Sequence, residues 1–236
     1  MKFIKTKIFP IFKSKGVSFF GLLAFFLSIN LHSEEEDLLK YAMFASNAER
    51  PQFATPISSK LPLKLEERDR IALIGNTLFD RMRDFGHFEA VLQQAHPDLN
   101  LIVRNLAWSA DEIDLQPRPD NFADTEQHLT AMKADIIIAA FGFNESFGGK
   151  KELSSFETRL ANYLLNLRSK SYNGKSAPSV ILISPIANEN VEGVQAADRN
   201  NPNIKAYCRS MKKVAISAPQ QAIDHLPAKP EKTEAQ

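Results

Sequence analysis

Arg70-Ile71-Ala72-Leu73-Ile74-Gly75-Asn76-Thr77-Leu78-Phe79-Asp80 reads as a buried strand that stops at a glycine and turns directly into a helix. Ile71 to Ile74 are apolar without interruption. After Gly75 the apolar positions change to helical spacing: Leu78, Phe79, Met82, Phe85, Phe88, Val91 and Leu92. The same unit recurs downstream. Residues 99–106 centre on Leu101, Ile102 and Val103. A helix over 125–133 leads into the apolar run 134–140, and a helix over 153–169 leads into 179–184. A last helix covers 203–216, and a weak fifth strand is expected over 220–226, after Pro219. Strands that are apolar throughout are buried on both faces, and here they alternate with amphipathic helices. The pattern predicts a three-layer α/β/α sandwich with four to five parallel strands, the flavodoxin-like architecture.

The fold-bearing region spans residues 70–226 of the 236. Residues 34–69, broken by Pro51, Pro56 and Pro62, read as a linker lying over the core. Leu38, Leu39, Ala42 and Met43 suggest a short helix at its start, and the polar tail 227–236 has no means of forming a core. Lys2, Lys5, Lys7, Lys13 and Lys15 precede an uncharged apolar run from Val17 to Ile29, with Ser33 before the first acidic residue. That order predicts a secretory signal peptide over 1–33 and export to a periplasmic or extracellular space; the alternative is an N-terminal membrane anchor.

The formal charge is +1, yet residues 1–33 hold five lysines and no acidic residue. The remainder carries 24 Lys and Arg against 28 Asp and Glu, a net charge of −4. No basic surface is left for a phosphate backbone, so nucleic acid is not an expected partner. With 44% hydrophobic and 24% charged residues the chain is globular. Cys208 is the only cysteine, which excludes an internal disulfide and a Cys-based metal site; it reads as a half-buried helix residue. No metal or other cofactor is implied, and the oligomeric state is left open.

In open α/β sheets, ligands bind beyond the carboxyl ends of the strands. Three such ends are unusual here: Gly75-Asn76-Thr77-Leu78, then Asn105-Leu106-Ala107-Trp108-Ser109-Ala110-Asp111-Glu112, then Gly142-Phe143-Asn144-Glu145-Ser146. Taken in order they resemble the first three blocks of the SGNH (GDSL-like) ester hydrolases, over about residues 70–216. The likeness is greatest to exported acylhydrolase domains with a Gly-Asn-Thr-Leu elbow. It implies hydrolysis of an acyl or acetyl ester, with a small-molecule, carbohydrate or lipid ester as substrate and no cofactor. It puts Thr77 at the nucleophile position. The oxyanion hole it implies comprises the Thr77 and Ala110 backbone amides and the Asn144 side-chain amide, Ala110 standing where the family has glycine.

Two departures bear on activity. Threonine is β-branched, so its hydroxyl is harder to aim than that of serine. The family's closing Asp-x-x-His block has no counterpart after residue 184. Asp224 and His225 are adjacent, which leaves His225 as the one substitute base. The resemblance therefore implies a weak or impaired hydrolase. The alternatives are a non-catalytic binding or accessory module on the same fold, and a truncated product of a longer esterase gene.

Plainer roles exist for the same residues. Thr77-Leu78-Phe79-Asp80 also reads as a helix capping box, [ST]-x-x-[DE]. Asn144 could tie the third loop to the first through its side chain. Trp108 is either a lid over the core edge or a stacking platform for a sugar or acyl group. Asp111 and Glu112 read as solvated loop charges, and His87, His96 and His128 as surface residues. Arg118, between two prolines, reads as solvated, or else as facing an anionic group.

Overall fold

The structure, a computed structural model, describes residues 43–58 and 62–224, the last seven of these by backbone alone. The expected signal peptide or anchor, most of the expected linker helix, His225 and the tail 227–236 lie outside the described residues. In chain order the elements are β1 Gln52–Phe53, β2 Arg70–Gly75, α1 Thr77–Met82, α2 His87–Ala95, β3 Ile102–Asn105 and α3 Thr125–Met132. They continue with β4 Ile136–Ala140, α4 Leu153–Arg168, β5 Lys170–Ser171, β6 Ser179–Ile183 and α5 Ala196–Asp224.

Four strands form a parallel sheet in the order β3-β2-β4-β6, with Ile71 opposite Val103 on one side and opposite Ile136 on the other. Side chains along β2 alternate between faces, as the strand period requires. Ile71 and Leu73 join Phe79 and, less deeply, Met82, Phe88 and Leu92 of α1 and α2. Ala72 and Ile74 join Leu129 of α3, Phe156 and Leu160 of α4, and Tyr207 and Met211 of α5. The helices thus cover both faces, and the protein is a three-layer α/β/α sandwich. β2 feeds β3 on one side while β4 feeds β6 on the other. The crevice where connections part, the site that open α/β sheets use for ligands, therefore lies between the carboxyl ends of β2 and β4.

Gly75 is what lets these two ends close up. Its φ is +127°, and a Cβ there would collide with the Ala140 carbonyl; the next residue's amide, that of Asn76, donates to that carbonyl at 3.1 Å.

Four expectations need correction. The apolar stretch 78–92 is two helices, because Gly86 turns the chain at φ 60° and caps α2. The second sheet strand is shorter than 99–106: residues 97–99 wind as a 3₁₀ turn that ends on Asn100 at φ 49°. Part of the linker is structured, since β1 pairs antiparallel with β5. Finally, α5 is far longer than 203–216, and no strand forms over the described part of 220–226. Pro202 and Pro219 each remove one backbone donor without ending the helix. Ile204, Tyr207, Met211 and Val214 anchor one face of α5 in the interior, and Ala218, Gln220, Gln221 and Ala222 are good helix formers.

Candidate active site

Thr77 is the first helical residue of α1, and its cap is the residue before it. Asn76 is buried and extended, and its side-chain oxygen accepts from the Leu78 amide at 3.2 Å. Thr77 is therefore not the capping residue, in contrast to the [ST]-x-x-[DE] reading. Both Asn and Thr cap well, and here the deeper of the two takes the role. Asp80, the expected partner in the box, instead accepts from the Ser109 hydroxyl and from Arg83. This leaves the Thr77 hydroxyl free of the helix, and it accepts from the backbone amide of Ala110 at 3.3 Å.

Ala110 reaches Thr77 because the loop after β3 is pinned to α1. The Trp108 amide donates to the Gly75 carbonyl at 3.0 Å, Arg83 donates to the Ala107 carbonyl at 2.8 Å, and the Asn105 side chain caps the Phe79 carbonyl. The loop turns at Ala110 with φ 67°, where a glycine would sit without strain. The next residue, Asp111, holds the third loop: its carbonyl accepts from the Asn144 side-chain amide at 3.0 Å. Consecutive residues of the second loop thus bond one to Thr77 and the other to Asn144. The Asn144 tie runs to the second loop, not to the first.

The side chain of Asp111 is not a solvated charge. It is 5% exposed and accepts two bonds from Arg118, at 2.9 and 2.7 Å, while the Arg118 side chain is 11% exposed. The anionic group that Arg118 faces is Asp111. Such a fork is directional and well desolvated, so it fixes the loop more firmly than a surface pair would. The guanidinium also lies 4.5 Å over the Trp108 ring, whose edge meets Phe122. One face of Trp108 is therefore occupied. His128, against Phe122, is half-buried rather than on the surface, and its Nε2 has no hydrogen-bond partner among the described residues. Burial, with a smaller push from Arg118, holds its imidazole below the ordinary value.

Glu145 carries a structural part that the sequence did not reveal. It is buried, and its two carboxylate oxygens accept from the Gly142 amide at 2.8 Å and the Ile113 amide at 3.1 Å. The second and third loops are thereby joined a second time. Burial pushes its carboxyl up, against the pull of the backbone amides. Ser146 next to it donates to the Phe143 carbonyl and accepts from Asn200 of α5. The only sequence signal for Glu145 was its place directly after Asn144.

Beside Thr77 lies a cavity of about 280 Å³ walled by Leu78, Phe141, Phe143, Pro185 and Ile186, with Arg81 at its rim. Among the described residues, no titratable side chain hydrogen-bonds the Thr77 hydroxyl. No group of three His, Cys, Asp or Glu side chains among them gathers as a metal cluster would. Cys208, half-buried on α5, has its thiol pushed up by burial, the opposite of what a nucleophile needs.

No family model matches the chain, and comparison with curated proteins returns no match. Solved structures similar to it include a gut microbial diltiazem-metabolizing enzyme, at 13% identity and TM-score 0.48, over 66% of this chain and 36% of that one. An acetyl xylan esterase aligns at 13% identity and TM-score 0.44, over 64% and 74% of the two chains. A candidate SGNH hydrolase from Slackia heliotrinireducens aligns at 16% and 0.41, over 65% and 77%. The chain thus spans about a third of the length of the first of these. Likenesses of this size decide nothing about chemistry, which has to rest on the geometry of the site.

Proposed function

We propose that the protein is an SGNH-type ester hydrolase of low activity, with its reaction centre at Thr77. The observation that carries this is the pair of bonds from the second loop: Ala110 to the Thr77 hydroxyl, and Asp111 to the Asn144 amide. In the reaction, the Thr77 oxygen attacks the ester carbonyl and its proton passes to water. The carbonyl oxygen takes the negative charge, facing the Thr77 amide and the second amide hydrogen of Asn144; the single Ala110 N–H, which donates to the Thr77 oxygen at rest, joins them by turning from that oxygen as the new bond forms. Collapse expels the alcohol, and water then hydrolyses the acyl-threonine. A positioned general base contributes about 10²–10⁴-fold, so a site without one runs at a trace rate. A periplasmic or extracellular space is the proposed place of action, from the basic-apolar order of residues 1–29, with an N-terminal membrane anchor as the alternative.

The second reading is a binding module that performs no chemistry, favoured by the lack of a base bonded to Thr77 among the described residues. Hydrolysis of an activated aryl ester, compared with the Thr77→Val variant, separates the two. Thr77→Val keeps the shape and removes the nucleophile. A rate above buffer that Thr77→Val abolishes supports the hydrolase. A rate equal to buffer leaves the binding module, and a rate above buffer that Thr77→Val retains removes Thr77 as the reaction centre.

A further inference from the structure

We infer that the acyl group taken by this site is an aliphatic chain of several carbons, not acetyl; the inference rests on the ester-hydrolase reading of Thr77. The cavity beside Thr77 opens between α1, the end of β4 and the segment after β6. Leu78, Phe141, Phe143, Pro185 and Ile186 give it apolar walls from all three sides. Its polar lining is Asn76, whose side-chain oxygen is engaged by the Leu78 amide, the reacting Thr77, and the exposed Arg81. A sugar bound there would lose hydrogen bonds to water and find few in return, whereas methylenes lose none.

The mouth points the same way. Ile186 is 64% exposed, and Phe143 meets the 65% exposed Phe147 edge to face at 5.6 Å, so apolar surface continues out of the cleft. An acetyl group would leave these walls wet. Trp108, the other candidate platform, lines a separate cavity of about 100 Å³ with Arg118, Phe122 and His128, and takes no part in this cleft.

The test is calorimetric titration with linear 2-alkanones, from 2-butanone to 2-decanone. They carry the carbonyl and chain of an acyl group and are not hydrolysed. Each added methylene should tighten binding by up to about fourfold, levelling off once the cleft is full. Ile186→Ser, at an exposed position, should weaken the longer ketones and spare 2-butanone. Phe143→Ser should flatten the series. Affinity that is independent of chain length, or a slope unchanged in both variants, overturns the inference. A slope in a protein without esterase activity leaves the chain-binding cleft standing while the hydrolase reading falls. Esterase activity confined to acetyl esters, with a flat ketone series, does the reverse.

Discussion

The backbone amide of Ala110 donates to the Thr77 hydroxyl over 3.3 Å, from a residue held in the left-handed region at φ 67°. The position asks for glycine and is filled by alanine. The left-handed conformation costs an L-residue about 1–2 kcal/mol, while glycine costs roughly 0.5–1 kcal/mol more chain entropy on folding. Ala110→Gly should therefore stabilise the protein by about 0.5–1 kcal/mol, read as a higher urea midpoint at unchanged slope. A lower midpoint would show that the alanine methyl contributes packing that outweighs the strain.

Asn76→Ala removes the α1 cap and should cost about 1–2 kcal/mol, since the cap is buried. Thr77→Ser keeps the acceptor for Ala110 and should stay within about 0.5 kcal/mol of the parent. Urea denaturation of the two variants side by side checks this. A loss in Asn76→Ala no greater than that in Thr77→Ser would take the capping role from Asn76.

His128 makes stability fall in acid. Its folded-state pKa lies below the ordinary value of 6.5 because burial, and then the nearby Arg118, oppose its charge; Asp124 and the Ala123 backbone pull weakly the other way. The unfolded chain thus binds the proton more readily than the folded one. The contribution is whole above pH 6.5 and is lost as pH falls from there toward the depressed pKa. Urea midpoints at about pH 7.5 and about pH 5.5 should differ less in His128→Phe than in the parent. An identical difference in both would place the titration elsewhere.

The sheet was legible because its strands are apolar without a break, as at 71–74 and 136–140, and alternate with amphipathic helices, the pattern of a doubly covered parallel sheet. The ends of the elements were less so. Asn76 and Thr77 are both capping residues, and only the backbone decides between them; Pro202 and Pro219 look like helix bounds, yet α5 continues through both. Thr77, Ala110 and Asn144 were singled out by the resemblance of three strand-end segments to the SGNH blocks, not by any local pattern of their own. The residues that hold them there were not. Asp111 reaches Arg118 across a loop, and Glu145 reaches Ile113 across 32 residues, and no local pattern distinguishes such a buried pair from surface charge.

The most direct test of the account is the rate at which the protein and its Asn144→Ala variant hydrolyse an activated aryl ester. In the proposed reaction Asn144 supplies the one oxyanion donor that is a side chain. Its loss should lower the rate by about 10²–10³-fold, to the buffer background for an enzyme this slow. The broken bond to the Asp111 carbonyl should cost only about 1 kcal/mol of stability, so the variant stays folded and its urea midpoint confirms it. A folded Asn144→Ala variant that hydrolyses the ester as fast as the parent would contradict the assignment of this site.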